Sequence, residues 1–586
     1  MVTVSKGLLL LSLLGSALAT PAPYVTENDI GERGIFPTVS INIPAGSITG
    51  LSRINIEAFT GIPFAQAPVS ALRLAPPKPL DRPLVNFDAT QQSAACPQFL
   101  GRPGDPSLLP NLVSIVSESP LFKKALKSQE DCLNINVFRP KGTKAGDNLP
   151  VLFWIFGGGF ELGWNSMYDG GIIVSRGMDL GKPFIFVAVN YRVGGWGFLA
   201  GKEIKAAGAG NLGHRDQRLG LEWTADNIAA FGGDPSKVTI WGESAGAISV
   251  WNMMAYYGGN NLYKGKPLFR GGIMNSGSTV PISPIDGPKG QSVYDQVVAA
   301  SPCAGQADTL NCLRNLPYDK FYSAVNSVPH VLGYNSVALS YLPRYDGDVL
   351  PDCPVRLLKQ GKYAPVPFII GDQEDEGTIF SLAQLNTSSN TKDIVDYLSN
   401  VFVPGFSRDK LTELVTAYPA DITAGSPFRT FIFNEWYPGF KRMAAILGDL
   451  VFTLSRRWFL SVATTLHPEV PAWSYISSYG FGLPIVGTFH GSDILEMFYL
   501  GGIPTYLSNG LHGYYFNFLY NLDPNDASGG TSPGKSKVNV NWPRWDNTNR
   551  QLINFFKVFF TTIKDDFRQK AGDVLGKYME DIIPYM

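Results

Sequence analysis

Val238-Thr239-Ile240-Trp241 is a short β-branched and aromatic run that stops at Gly242-Glu243-Ser244-Ala245-Gly246, and helix-forming residues begin at Ala245. A strand that turns into a helix over so few residues must bend sharply, and the crowded bend admits only small neighbours. The stretch therefore predicts strand, tight turn and helix, with Ser244 at the apex. Gly530-Thr531-Ser532-Pro533-Gly534 repeats the Gly-x-Ser-x-Gly pattern. Ser532 lies in a polar stretch, Asn525 to Lys537, with no strand before it and no histidine after it. Context, not pattern, separates the two serines.

The surroundings of Ser244 extend this reading. Leu149 to Phe156 and Pro183 to Tyr191 are nearly continuous apolar runs, and the first ends in Gly157-Gly158-Gly159. Asp216 to Phe231 has helical spacing, with Leu219, Trp223 and Ile228 on one face and Asp226 and Asn227 opposite, and Gly232-Gly233-Asp234-Pro235 stops it. Val366 to Ile370 is a further strand candidate. Such alternation of fully apolar strands with helices, from about residue 130 to 280, predicts an α/β fold whose parallel strands are buried on both faces. At 586 residues the chain exceeds the usual domain size, but the alternation argues for one sheet rather than two linked domains. A net charge of −1 gives no broad basic face for nucleic acid and no general pull toward anionic membranes.

The N-terminus carries Lys6, an apolar run from Gly7 to Leu14, and the small-x-small triplet Ala17-Leu18-Ala19. This reads as a signal peptide over 1–19, hence a secreted, extracellular protein. The run is too short to span about 30 Å of hydrocarbon, and no later transmembrane segment is evident. Export places the five cysteines in an oxidising compartment. The simplest pairing joins sequence neighbours, Cys96 with Cys132 and Cys303 with Cys312, and leaves Cys353 free. No cysteine or histidine spacing suits a metal such as zinc. Asn386-Thr387-Ser388 is a glycosylation sequon, placing a candidate glycan on Asn386.

A serine raised between strand and helix is the nucleophile elbow of α/β-hydrolase sheets. Its hydroxyl needs a base, and the base needs an orienting acid, in the chain order serine, acid, histidine. His214 precedes Ser244 and drops out, and His467, before Pro468, reads as a surface side chain. His490 sits in a glycine-bracketed turn, Gly487 to Asp493, and is the best candidate base. For the acid, Asp372, Glu374, Asp375 and Glu376 crowd the end of the Val366–Ile370 run. The residues alone do not choose among them; three would be solvated loop charges. The Gly157–Gly159 run at a strand end can offer backbone N–H donors to a developing oxyanion.

These motifs resemble the type-B carboxylesterase/lipase family, which includes the cholinesterases. The resemblance rests on Phe59-Thr60-Gly61-Ile62-Pro63-Phe64, Glu130 to Val137, Gly157 to Phe160, Asn211 to Gly246, Glu374 to Thr378 and Phe489-His490, and is nearest to secreted fungal lipases. It implies a signal peptide at 1–19 and one α/β-hydrolase domain over 20–586, with a large, mostly parallel mixed sheet flanked by helices. It also implies a triad of Ser244, Glu376 and His490, with Gly158, Gly159 and Ala245 as oxyanion donors. Glu243, Ser276 and Asp493 match positions that adjoin the triad. Cys96–Cys132 and Cys303–Cys312 match the family's disulfides, and Cys353 has no partner in that pattern.

Between Cys96 and Cys132, the residues Leu108, Leu109, Leu112, Val113, Ile115 and Val116 share one helical face, with Asn111, Ser114 and Glu118 opposite. Ser107 can cap such a helix, and Pro110 is tolerated in its first turn. The residues alone also fit a surface helix packed on the core; the resemblance favours a lid loop over 96–132, its apolar face covering the site in water. No tryptophan occurs there, which argues against the choline esters that cholinesterases hold with one. The expected activity is hydrolysis of apolar carboxylic esters such as acylglycerols, at a lipid–water interface, without cofactor or metal. The alternatives are a short-chain soluble carboxylesterase, a sterol esterase, or a non-catalytic binding protein of the same family.

Overall fold

The computed structural model describes residues 36–99, 128–385, 387, 390–500, 504–525 and 540–586. The expected leader over 1–19, the apolar helix of the lid loop, the sequon at Asn386 and the second motif at Ser532 lie outside the described residues.

One sheet organises the chain. Its strands are β1 (Thr38–Ile43), β2 (Gly46–Ser52), β3 (Ile56–Pro63), β4 (Leu84–Asp88), β5 (Asn134–Pro140), β6 (Leu149–Ile155) and β7 (Ile185–Val189). They continue with β8 (Gly233–Glu243), β9 (Gly271–Asn275), β10 (Phe368–Gln373), β11 (Ala472–Ser477), β12 (Gln551–Phe555) and β13 (Phe560–Lys564). The spatial order is β1-β2-β3-β5-β7-β6-β8-β9-β10-β11-β12-β13, with β4 beside β2. From β7 through β6, β8, β9, β10 and β11 to β12 every neighbour is parallel. The β1–β2–β3–β5–β7 side and the β12–β13 edge are antiparallel. Every residue of β7, and every residue of β6 after Leu149, is buried. This is the two-sided burial that parallel strands require. The fold is thus a mixed α/β fold with a mostly parallel central sheet flanked by helices.

Tertiary contacts move several boundaries. The helix expected from Asp216 begins at Leu212 and gives way to a tighter turn at Ile228–Phe231. Asn227, expected on its solvent side, is buried. Its amide donates to the Trp223 carbonyl at 2.8 Å and accepts from the Ala45 N–H at 2.9 Å, so burial leaves the amide satisfied. Strand β10 runs on to Gln373 because Gly371, Asp372 and Gln373 pair with Tyr475, Ile476 and Ser477 of β11.

The strand that carries Ser244 is held rigidly. Trp241 packs edge-on to Trp154 at 4.4 Å and parallel to Phe498 at 5.5 Å, and its indole N–H donates to Asn275 Oδ1 at 3.0 Å. Each such aromatic pair adds about 0.5–1.5 kcal/mol beyond the area it buries. A second apolar cluster, including Leu398, Phe406, Leu414, Ile446 and Ile583, forms away from the sheet. Among the described residues no helix is long and apolar enough to cross a membrane.

Cys96–Cys132 and Cys303–Cys312 are disulfides. Cys353 is a buried free thiol, and burial pushes its pKa up to about 11.

Candidate active site

Ser244 stands between the end of β8 and the helix Ala245–Ala255, at φ 57° and ψ −124°. That backbone conformation costs a non-glycine residue of order 1–3 kcal/mol and persists only where the surroundings enforce it. They do so here. A Cβ on Gly242 would lie 2.3 Å from the Gly246 carbonyl oxygen, and one on Gly246 would lie 2.1 Å from that of Ile155. The Ser244 N–H donates to the Asn275 carbonyl at 2.8 Å. As the first helical residue, Ala245 has an N–H with no acceptor inside the helix, at the positive end of the helix dipole.

His490 enters from the loop after β11. Its Nδ1 lies 2.5 Å from Glu376 Oε2, and Glu376 Oε1 accepts the Gln373 N–H at 2.6 Å. The other ring nitrogen, Nε2, has no hydrogen-bond partner among the described residues, and Glu243 Oε1 is 3.4 Å away. The rings of Phe452, at 4.6 Å, and Phe380, at 5.0 Å, flank the imidazole. Burial alone would lower the imidazole's pKa, but the Glu376 carboxylate, then Glu243 and Asp493, lift it to about 9. Burial drives Glu243 up to about 8, against the lowering effect of His490.

The four acids left open by the sequence separate by partner. Asp372 is buried against Arg456, Nε to Oδ2 2.7 Å. Glu374 pairs with Arg429. Asp375 is buried, accepting from Ser426 Oγ, Phe428 N–H and Thr488 N–H at 2.8, 2.8 and 2.9 Å. Only Glu376 meets His490. The expectation that the other three are solvated loop charges is therefore corrected: each is spoken for, two of them in the interior.

Gly157, Gly158 and Gly159 follow β6. A Cβ on Gly157 would press on Glu243 Oε2 at 2.5 Å and on Ser244 Cβ at 2.9 Å, so this loop abuts Ser244 directly. Gly158 and Gly159 have φ of 106° and 64°. The Gly158 carbonyl turns away to accept the N–H groups of Glu161 and Leu162. Asp493 Oδ2 accepts from Asn275 Nδ2 at 2.7 Å and from the Tyr475 hydroxyl at 3.0 Å. Ser276 adjoins Asn275, and its N–H donates to the Gly371 carbonyl at 2.7 Å. Asn275, Gln373, Phe380 and Phe452 were not singled out in the sequence, and no motif marks them. They are found only through the sheet register and the packing around His490.

The arrangement places a strained serine, a carboxylate-backed imidazole and a glycine loop at the carboxyl ends of parallel strands, where α/β sheets hold their ligands. A family model described as "Carboxylesterase family" matches residues 37–570. The chain is 53% identical over 567 residues to secreted lipase 1 of Botryotinia fuckeliana, covering 96% of this chain and 97% of that one. It is 52% identical to a secreted triacylglycerol lipase of Gibberella zeae, covering 92% and 90%. The structure of EstA from Aspergillus niger superposes with a TM-score of 0.75 at 25% identity, covering 92% of this chain and 99% of that one. On these matches, the chain belongs to the carboxylesterase family of serine ester hydrolases.

Proposed function

We propose that this protein is a secreted lipase that cleaves apolar carboxylic esters such as acylglycerols through Ser244, His490 and Glu376. His490 Nε2 takes the Ser244 hydroxyl proton as Oγ adds to the ester carbonyl. The N–H groups of Gly158, Gly159 and Ala245 hold the resulting oxyanion. His490 then protonates the departing alcohol, and an acyl-enzyme remains. A water, deprotonated by His490, releases the acid. Glu376 holds the imidazole tautomer and stabilises the imidazolium. The observation that carries this reading is the contact of His490 Nδ1 with Glu376 Oε2 beside the strained Ser244. Export through the 1–19 leader and a glycan on Asn386 belong to the same proposal.

An apolar surface as the site of action rests on a second feature. Phe431, Ile432 and Phe433 are consecutive and exposed, at 63%, 52% and 68%. Three exposed apolar residues in a row are unusual unless they meet something apolar. Their loop is anchored to the acid segment by the Ser426 and Phe428 bonds to Asp375. Lys441 Nζ braces it, donating to Thr430 Oγ1 at 2.9 Å and to the Phe431 carbonyl at 2.7 Å. The names of the secreted lipases among its relatives support the same substrate class.

The test is rate against substrate concentration across the solubility limit, for esters of short to long acyl chain. Ser244→Ala should abolish hydrolysis of every ester, and Ser532→Ala should leave it unchanged. Replacing Phe431, Ile432 and Phe433 together by serine should lower the rate on emulsions about tenfold and leave a dissolved short-chain ester unaffected. Simple saturation with no rise at the limit, in parent and variant alike, would make the protein a soluble carboxylesterase instead.

A further inference from the structure

Glu161 is an oddity for a carboxylate. It is fully buried, one residue beyond the Gly157–Phe160 run, and no cation faces it among the described residues. Its Oε2 accepts the Val331 N–H at 2.9 Å, while Oε1 has no hydrogen-bond partner among the described residues. An ionised carboxylate so placed would cost several kcal/mol. Burial accordingly raises its pKa well above the ordinary range.

The main chain of Glu161 is tied as firmly as its side chain. Its N–H donates to the Gly158 carbonyl at 3.0 Å, closing the turn that orients Gly158 and Gly159. Its carbonyl accepts the Phe99 N–H at 2.9 Å. Next to it, Gln98 brackets Gly163, accepting its N–H at 2.7 Å and donating to its carbonyl at 3.2 Å. On the far side, Val331 and Leu339 close over Gly159: a Cβ there would lie 3.5 Å from Val331 Cγ2 and 3.7 Å from Leu339 Cδ2. Glu161 is thus where the glycine turn, the Val331–Leu339 wall and the segment just after Cys96 meet.

We infer that Glu161 is a positioning residue which clamps the glycine turn to the Val331–Leu339 wall and so fixes the Gly158 and Gly159 N–H groups. A negative charge two residues from Gly159 would oppose the negative charge that those N–H groups are there to stabilise. The inference rests on the acyl-transfer reading above.

The experiment compares Glu161→Leu, Glu161→Gln and Glu161→Asp with the parent and with Ser244→Ala, on a dissolved short-chain ester and with a trifluoromethyl ketone inhibitor. Glutamine keeps an acceptor for Val331 and cannot ionise, so kcat, KM and the pH profile should match the parent. Leucine removes the acceptor. Its kcat should fall at least about tenfold with KM within about threefold, and the inhibitor constant should rise in step, because both read transition-state rather than ground-state binding. Aspartate, one methylene short, should fall between; it carries the comparison should the leucine variant not fold. Parental kcat in the leucine and aspartate variants would overturn the inference. So would a loss of kcat with an unchanged inhibitor constant, or a glutamine variant as impaired as leucine. An active Ser244→Ala would instead overturn the acyl-transfer reading itself.

Discussion

Glu243 Oε1 lies 3.4 Å from His490 Nε2, on the edge of the imidazole opposite Glu376. The ring therefore lies between two carboxyl groups, Glu376 bonded to Nδ1 and Glu243 near Nε2 without a hydrogen bond to it. Against the lowering effect of burial, and with Asp493, they lift its pKa to about 9, Glu376 contributing most.

This arrangement sets a pH dependence. The imidazole serves as base only when neutral, so a raised pKa means activity present at alkaline pH and lost as pH falls through that pKa. Glu243→Gln removes one of the carboxylates that favour the cation. The acid limb of kcat/KM should then move to lower pH, by about one unit, equivalent to about 1.4 kcal/mol. A limb that stays in place or moves upward would show that Glu243 does not act on the imidazole's charge.

The acid segment should respond according to each residue's partner. Glu376→Gln should lower kcat about 10³- to 10⁴-fold, since the imidazole loses its orienting acceptor. Glu374→Gln breaks only the half-exposed pair with Arg429; activity should hold, with stability changed by less than about 1 kcal/mol. Asp375→Asn weakens three hydrogen bonds in the interior and should cost about 1–3 kcal/mol in urea denaturation while kcat stays within tenfold. A 10³-fold loss at Glu374 or Asp375 would refute the assignment of Glu376.

The cysteines give a prediction independent of catalysis. Cys96–Cys132 closes a sequence separation of 36 and Cys303–Cys312 one of 9. Loop entropy makes the first worth about 3.8 kcal/mol and the second about 2.6 kcal/mol. Paired alanine substitutions, measured by denaturation, should fall in that order. Cys353, buried and with its pKa raised to about 11, should resist thiol reagents at pH 8 until the chain is unfolded. Labelling of the folded protein, or a peptide linking Cys353 to another cysteine, would contradict the pairing.

What the sequence made legible was local. The elbow at Ser244 is written into nine consecutive residues, Val238 to Gly246, whose apolar run and glycines have no other good conformation. The parallel sheet shows in the apolar runs at 149 and 183 for the same reason. The choice among Asp372, Glu374, Asp375 and Glu376 depends on partners far along the chain. Arg456 takes the first, Arg429 the second, and Ser426, Phe428 and Thr488 the third. No window of sequence around residue 374 contains those residues. The boundary error in β10 compounded the difficulty. Read as ending at Ile370, the strand put Asp372 in a loop, whereas pairing with β11 carries it into the sheet. Asn227 failed in the same way: a polar residue on a helix is assigned to water until a backbone N–H from elsewhere, here Ala45, is seen to need it.

Strands β10 and β11 lie side by side, Phe368 against Ala472, although the chain between them builds much of the second apolar cluster before returning. Their pairing is set by the sheet and braced from the connection, where Arg456 donates to Asp372 of β10 and to Ser474 Oγ of β11. Closing a flexible connection costs only about 0.6 kcal/mol more for each doubling of its length. Those parts of the connection that touch neither strand nor His490 can therefore be lengthened, shortened or exchanged among descendants while Glu376, Phe380, Phe452 and Arg456 keep their places. Natural variation, or a protein engineer, has here a replaceable cassette mounted on an unchanging chassis.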